Sequence, residues 1–94
     1  MPKPEFWFVY VLKCANGAFY TGVTTNIPAR VKAHNNGTGA RYTRSFGPVK
    51  LVWVERRSSK SLALKREARI KNLSKSEKAA LVAKKAGRTS ELQT

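Results

Sequence analysis

Tyr10, Tyr20, Arg30, His34 and Glu67 are the residues of this 94-residue chain whose types and spacing can do chemistry. In "IPARVKAHNN", Arg30 and His34 are four apart, so on a helix they sit one turn from each other on a single face. Tyr10 and Tyr20 flank the turn signal "ANG". With a turn centred near Ala15, their equal parity puts both phenols on one face of a hairpin. Gly22 in "YTG" lets the backbone turn closely at the strand-to-helix corner, so Tyr20 faces the same place as the helical pair. Two phenols, a guanidinium and the chain's one imidazole then converge, a set able to clamp a phosphate and move a proton.

The chain has no Asp, and its five Glu (Glu5, Glu55, Glu67, Glu77 and Glu91) are scattered. That pattern argues against a two-metal nuclease site, and one Cys with one His excludes a four-ligand zinc site. Any metal must be held by oxygen, which leaves a one-carboxylate site. Glu77 reads as a helix cap, Glu5 and Glu91 fall near the ends, and Glu55 closes a strand beside Arg56 and Arg57. By elimination Glu67 is the best-placed metal ligand. Its ordinary alternative is an i,i+4 partner for Lys71.

A net charge of +14, from 19 Lys and Arg against 5 acidic residues, is a field that seeks polyanions, nucleic acid first. The longest apolar run, Phe6 to Leu12, is too short to span a membrane, so no membrane partner is expected. No signal peptide is legible in "MPKPEFWFVYVLKC", and Cys14 is a lone cysteine, so the expected compartment is the cytoplasm. Arg56 to Arg88 holds 12 of the 19 cations, a phosphate-tracking surface in which Arg66, Arg69 and Lys71 are candidate nucleic-acid contacts. "ARYTR" interleaves Arg41, Tyr42 and Arg44, a pairing that stacks on bases and grips the phosphates of single strands or junctions.

The elements that must position these groups follow from pattern. "FWFVYVLKC" and "AFYTGVT" read as a β-hairpin, Phe6 to Lys13 with Ala18 to Thr24. Asn26 or Thr25 caps a short helix that Gly37 ends, and "GTGARYTRSFGP" is an irregular loop. "VKLVWVE", Val49 to Glu55, is a third strand expected inside the sheet. A helix capped near Ser59 runs to Leu73, with Leu62, Ala63, Ile70 and Leu73 as its apolar stripe. Ser74 and Glu77 form a capping box that opens a last helix closed by Gly87. The result is one α/β domain over 1–94, strand-strand-helix-strand-helix-helix, with a core at about 6–85 and a mobile tail at 86–94.

"FVY" and "YTG", followed by Arg30, His34 and a helical Glu67, resemble the GIY-YIG nuclease domain, over about Phe6 to Val82. The stretches "YTGVTTN", "HNNGTGARYTR" and "REARIKNLSKSEKAAL" are most similar to the small stand-alone bacterial members. Phe8 and Thr21 depart from the two name-giving triplets, while both Tyr and Gly22 are kept. The resemblance implies a three-stranded antiparallel sheet flanked by helices and a metal-dependent DNA endonuclease, with roles in DNA repair or recombination. It implies Mg²⁺, or Mn²⁺, held by Glu67, with Arg30 on the scissile phosphate. Tyr20 or Tyr10 would take the proton of the attacking water, and His34 would orient or relay it. The competing expectation, from charge alone, is a non-catalytic basic nucleic-acid-binding protein.

Overall fold

A computed structural model describes residues 4–38 and 47–84. Three strands, β1 (Trp7–Lys13), β2 (Phe19–Thr24) and β3 (Lys50–Arg57), form one antiparallel sheet in the order β2-β1-β3. Three helices accompany it, α1 (Ile27–Asn35), α2 (Lys60–Lys71) and α3 (Lys75–Lys84). The order of elements and the three-stranded α/β architecture match the expectation.

The position of β3 does not. It is an edge strand, and β1 is central. Of the three strands β1 carries the longest unbroken buried run, with Val9, Tyr10, Val11 and Leu12 alternating between the two faces, as suits a doubly covered strand. By contrast β3 begins at Lys50 and ends at Arg56 and Arg57, charges that suit an unpaired edge.

Alternation along β1 divides the core into two layers. Tyr10 and Leu12 join Leu51, Val54 and Cys14 on one face, against which Tyr20, Ile27 and Val31 pack. Val9, Val11 and Trp53 form the other face, covered by Ala63 and Ile70 of α2 and by Leu81 and Val82 of α3. So α1 lies on one side of the sheet and α2 and α3 on the other. A bulge between the partners of Val11 and Leu12 makes Leu51 and Trp53, two apart in sequence, face opposite layers.

The helix ends are set by local chemistry. Asn26 Oδ1 accepts from Ala29 N–H at 3.1 Å, and Ser59 Oγ accepts from Leu62 N–H at 3.2 Å. Ser74 and Glu77 make the reciprocal box, with Ser74 N–H donating to Glu77 Oε1 at 2.8 Å and Glu77 N–H to Ser74 Oγ at 3.2 Å. Gly37, at φ 79°, lets Thr38 N–H reach back to Ala33 O at 2.9 Å and Gly37 N–H to His34 O at 3.3 Å, closing α1.

Two expectations shift. Leu62 is 44% exposed and is not core, because it sits about 100° around α2 from Ala63. The helix itself stops at Lys71, with Asn72 as its cap, rather than at Leu73. The 86–94 tail, Gly87 and the "ARYTR" residues Arg41, Tyr42 and Arg44 lie outside the described residues. Among the described residues no helix is long and apolar enough to cross a membrane.

Candidate active site

The hairpin register decides which aromatic residues meet. Cys14 N–H donates to Ala18 O at 2.8 Å and Gly17 N–H to Cys14 O at 2.9 Å, closing a tight turn. Leu12 then pairs with Tyr20 and Tyr10 with Gly22. Tyr10 and Tyr20 are therefore diagonal neighbours on one face, with ring centroids 6.5 Å apart.

Gly22 has a different job from the one its sequence context suggests. It lies within β2, opposite Tyr10, and the Tyr10 ring occupies the space its side chain would fill. A Cβ there would come within 2.5 Å of Tyr10 Oη. Glycine is needed for close packing rather than for a turn.

His34, the last buried residue of α1, completes the cluster. Its Nε2 lies 3.0 Å from Tyr10 Oη. Its ring stands edge-on to both phenols, 5.9 Å from Tyr10 and 5.0 Å from Tyr20. Tyr10 and His34 are each 2% exposed, whereas Tyr20 is only partly buried.

Electrostatics bring in the remaining two predicted residues. Burial, the Tyr20 phenol and the Glu67 carboxylate push the Tyr10 phenol well above its usual range, while Arg30 opposes them. Burial first, then the Arg30 guanidinium, lowers the His34 imidazole below its usual value. Arg30 thus acts on both buried groups from an exposed position on α1. The buried pair is consequently neutral near pH 7.

Glu67 lies on the stripe of α2 that Ala63 and Ile70 turn toward the sheet, at i+4 and i−3 from them. Its side chain is 18% exposed and Lys71 Nζ stands 3.5 Å away, so the i,i+4 pair is also formed. Arg66, about 100° around the helix from Glu67, points toward β3, where its Nε donates to Glu55 Oε2 at 2.9 Å. The Glu67 flank therefore faces the β2 side of the sheet.

No group of three or more metal-ligating side chains exists among the described residues. A lone, mostly buried carboxylate fits a magnesium-type ion that takes its other ligands from substrate oxygens and water. It fits no ion that demands a full protein cage.

Two contributions were missed by sequence reasoning. Glu55 is buried, facing α2 two residues from Trp53, and ties Arg66 and Arg57 together. Its parity with Trp53 was the available signal. Asn35 clamps α1 to the approach of β3, its Oδ1 accepting from Val49 N–H at 2.7 Å and its Nδ2 donating to Val49 O at 3.3 Å. Nothing in the spacing of Asn35 announces that partner.

Comparison with known proteins finds relatives over most of the chain. A family model described as the GIY-YIG catalytic domain matches residues 6–80. A UPF0213 protein of Natronomonas pharaonis is 52% identical over 80 residues, covering 85% of this chain and 94% of that protein. One from Vibrio cholerae is 51% identical over 84 residues, covering 88% of this chain and 81% of its own length. The solution structure of a UPF0213 protein from Bacillus halodurans superposes with a TM-score of 0.58 at 43% identity, covering 87% of each chain. A solution structure from E. faecalis gives 0.59 at 37% identity, covering 89% of this chain and 90% of that one.

Proposed function

The chain belongs to the GIY-YIG family, whose domain is of nuclease type, and we propose that it is a divalent-metal-dependent endonuclease that hydrolyses phosphodiester bonds of DNA. The observation that carries this reading is the Tyr10 hydroxyl, 3.0 Å from His34 Nε2 and within the electrostatic reach of Tyr20, Arg30 and Glu67. A pure nucleic-acid binder has no need of a buried phenol–imidazole pair within the electrostatic reach of a carboxylate.

Of the two phenols, Tyr20 is the general base. Tyr10 is buried and its ionisation is strongly opposed, whereas Tyr20 reaches solvent and the incoming water. The Tyr20 oxygen accepts the proton of the water that attacks phosphorus, while the bond to the 3′ oxygen breaks. Arg30, exposed beside the cluster, forks onto the non-bridging phosphate oxygens as charge builds on them. Neutral His34 holds the Tyr10 ring against Gly22 and can pass a proton on. Glu67 would hold Mg²⁺ or Mn²⁺, which supplies charge neutralisation at the leaving oxygen when bound. Arg66, Arg69 and Lys71 of α2 bind the backbone, and Arg41, Tyr42 and Arg44 stack on and grip single-stranded or branched DNA. The process served is DNA repair or recombination, in the cytoplasm.

The test is cleavage of labelled single-stranded, duplex, branched and RNA oligonucleotides with Mg²⁺, Mn²⁺ or chelator, comparing wild type with Glu67→Gln and Arg30→Lys. Metal-dependent cutting is expected, lost in Glu67→Gln with binding retained, and reduced about 10²- to 10³-fold in Arg30→Lys. Binding without scission under every ion would replace the reading by a non-catalytic nucleic-acid-binding module.

A further inference from the structure

The flank of α2 opposite to Glu67 carries a second concentration of positive charge. Arg57, at the end of β3, joins Leu62, Lys65, Arg66, Ala68 and Arg69 around a cleft of about 430 Å³. Leu62, Lys65, Arg66 and Arg69 follow i, i+3, i+4, i+7 spacing and so form one stripe. Four cations line the cleft, and Glu55 is the carboxylate that pairs with two of them.

That carboxylate makes the cleft a built site rather than a solvated charge run. Glu55 Oε2 lies 3.1 Å from Arg57 Nη2 and 2.9 Å from Arg66 Nε, with the Glu55 side chain only 11% exposed. Two long side chains are thereby held in place before any ligand arrives, which reduces the ordering cost of binding. Arg57 Nε is buried without a hydrogen-bond partner among the described residues. Lys65 and Arg69 are exposed and make no ion pair among the described residues. Leu62, 44% exposed, adds an apolar wall that suits a sugar face.

We infer that this cleft binds the sugar-phosphate backbone of a nucleic acid at a second point, on the flank of α2 opposite to Glu67. The inference rests on the nuclease reading for the identity of the polyanion and adds where the substrate extends. Guanidinium forks match phosphate oxygens in pairs. A helix with its side chains is about 10–12 Å across, so a polymer that touches both flanks of α2 has a length or a second strand to spare.

The experiment is fluorescence anisotropy of 20-nucleotide single-stranded and duplex probes, in chelator, across a salt series. Full-length Lys65→Glu/Arg69→Glu is compared with Lys75→Glu/Lys84→Glu, which changes net charge equally on α3. The cleft pair is expected to bind at least 10-fold more weakly than the control pair, with the slope of log K against log salt reduced by roughly 1.5 to 2. Loss on the duplex alone assigns a second strand to the cleft, and loss on both probes assigns the backbone of the bound strand. Equal weakening by both pairs would mean overall charge only and overturns the site. A selective loss for a polyglutamate peptide, with the oligonucleotides unaffected, overturns it in favour of an acidic protein.

Lys65→Gln/Arg69→Gln, with melting curves, guards against a folding defect and should show the same order of effects. Chelator keeps the outcome separate from catalysis. If wild type cuts nothing with any metal and the cleft pair still loses binding selectively, the cleft stands and the nuclease reading falls. If Glu67→Gln abolishes cutting while both charge variants bind alike, the reverse holds.

Discussion

The Tyr10 ring lies over the Gly22 backbone, so that a Cβ built on Gly22 would sit 2.7 Å from the ring carbon bearing the hydroxyl. The pair faces across β1 and β2, and this is why one position of β2 carries no side chain. Gly22→Ala would ordinarily gain about 0.5–1 kcal/mol from a less flexible unfolded chain. Here the methyl meets a rigid, buried ring, and overpacking at about 1–3 kcal/mol outweighs that gain. A lower urea midpoint is expected together with slower cleavage, because Tyr10 can no longer hold its place beside His34. Unchanged stability would show that the ring has room to move.

Tyr10→Phe keeps the ring and removes only the hydroxyl. His34 Nε2 then loses its 3.0 Å partner in a buried setting, at a cost of about 1–3 kcal/mol. Cleavage should fall but persist if Tyr20 is the base, whereas Tyr20→Phe should abolish it with little loss of stability. The opposite ranking in single-turnover assays would exchange the two roles.

Stability should fall as pH drops from neutrality. Burial and Arg30 hold the folded His34 pKa below the usual 6.5, so the unfolded chain takes up the proton first. His34 therefore imposes no penalty above pH 6.5, and stability is lost progressively as pH falls from there toward the folded value, below which the loss levels off. Urea titrations between about pH 5 and 8 measure the slope, and His34→Gln should flatten it. A wild-type profile as flat as that of the variant would contradict the buried neutral imidazole.

Asn35→Ala removes both hydrogen bonds that tie α1 to Val49. The expected cost is about 1–2 kcal/mol, since Asn35 is itself exposed and water can replace part of the pairing. A merely local anchor would leave catalysis alone. Because Asn35 follows His34 directly, the prediction includes a lower single-turnover cleavage rate and a changed His34 chemical shift. Asn35→Asp, which keeps the acceptor for Val49 N–H, should recover part of both.

Much of the fold was legible because its signals are local. The caps at Asn26, Ser59 and Ser74, the stop at Gly37 and the aromatic hairpin are read from neighbours in sequence, and the same short-range chemistry operates in the folded state. The place of β3 was not legible from its own apolar run. Which strand is central depends on how distant segments pair, and β1 and β3 are each buried on both faces, so an apolar run does not tell the middle strand from the edge. Leu62 was read as core for a related reason. Periodicity gives the width of an apolar stripe but not where the sheet cuts it, and here the boundary falls between Ala63 and Leu62.

By itself the sequence determined the chemical inventory: two phenols of equal parity, Arg30 and His34 one helical turn apart, a lone helical Glu67 and a large excess of cations. Tertiary structure decided how those groups differ. Tyr10 and Tyr20 look equivalent along the chain, yet Tyr10 is sealed under α1 and hydrogen-bonded to His34, while Tyr20 keeps access to solvent. Glu55 and Glu67 likewise look like two carboxylates among cations. Glu55 is spent on Arg57 and Arg66, whereas Glu67 bears on the Tyr10 hydroxyl. The physical reason is that burial and through-space charge, which set the protonation and reach of a side chain, depend on which distant segments pack around it.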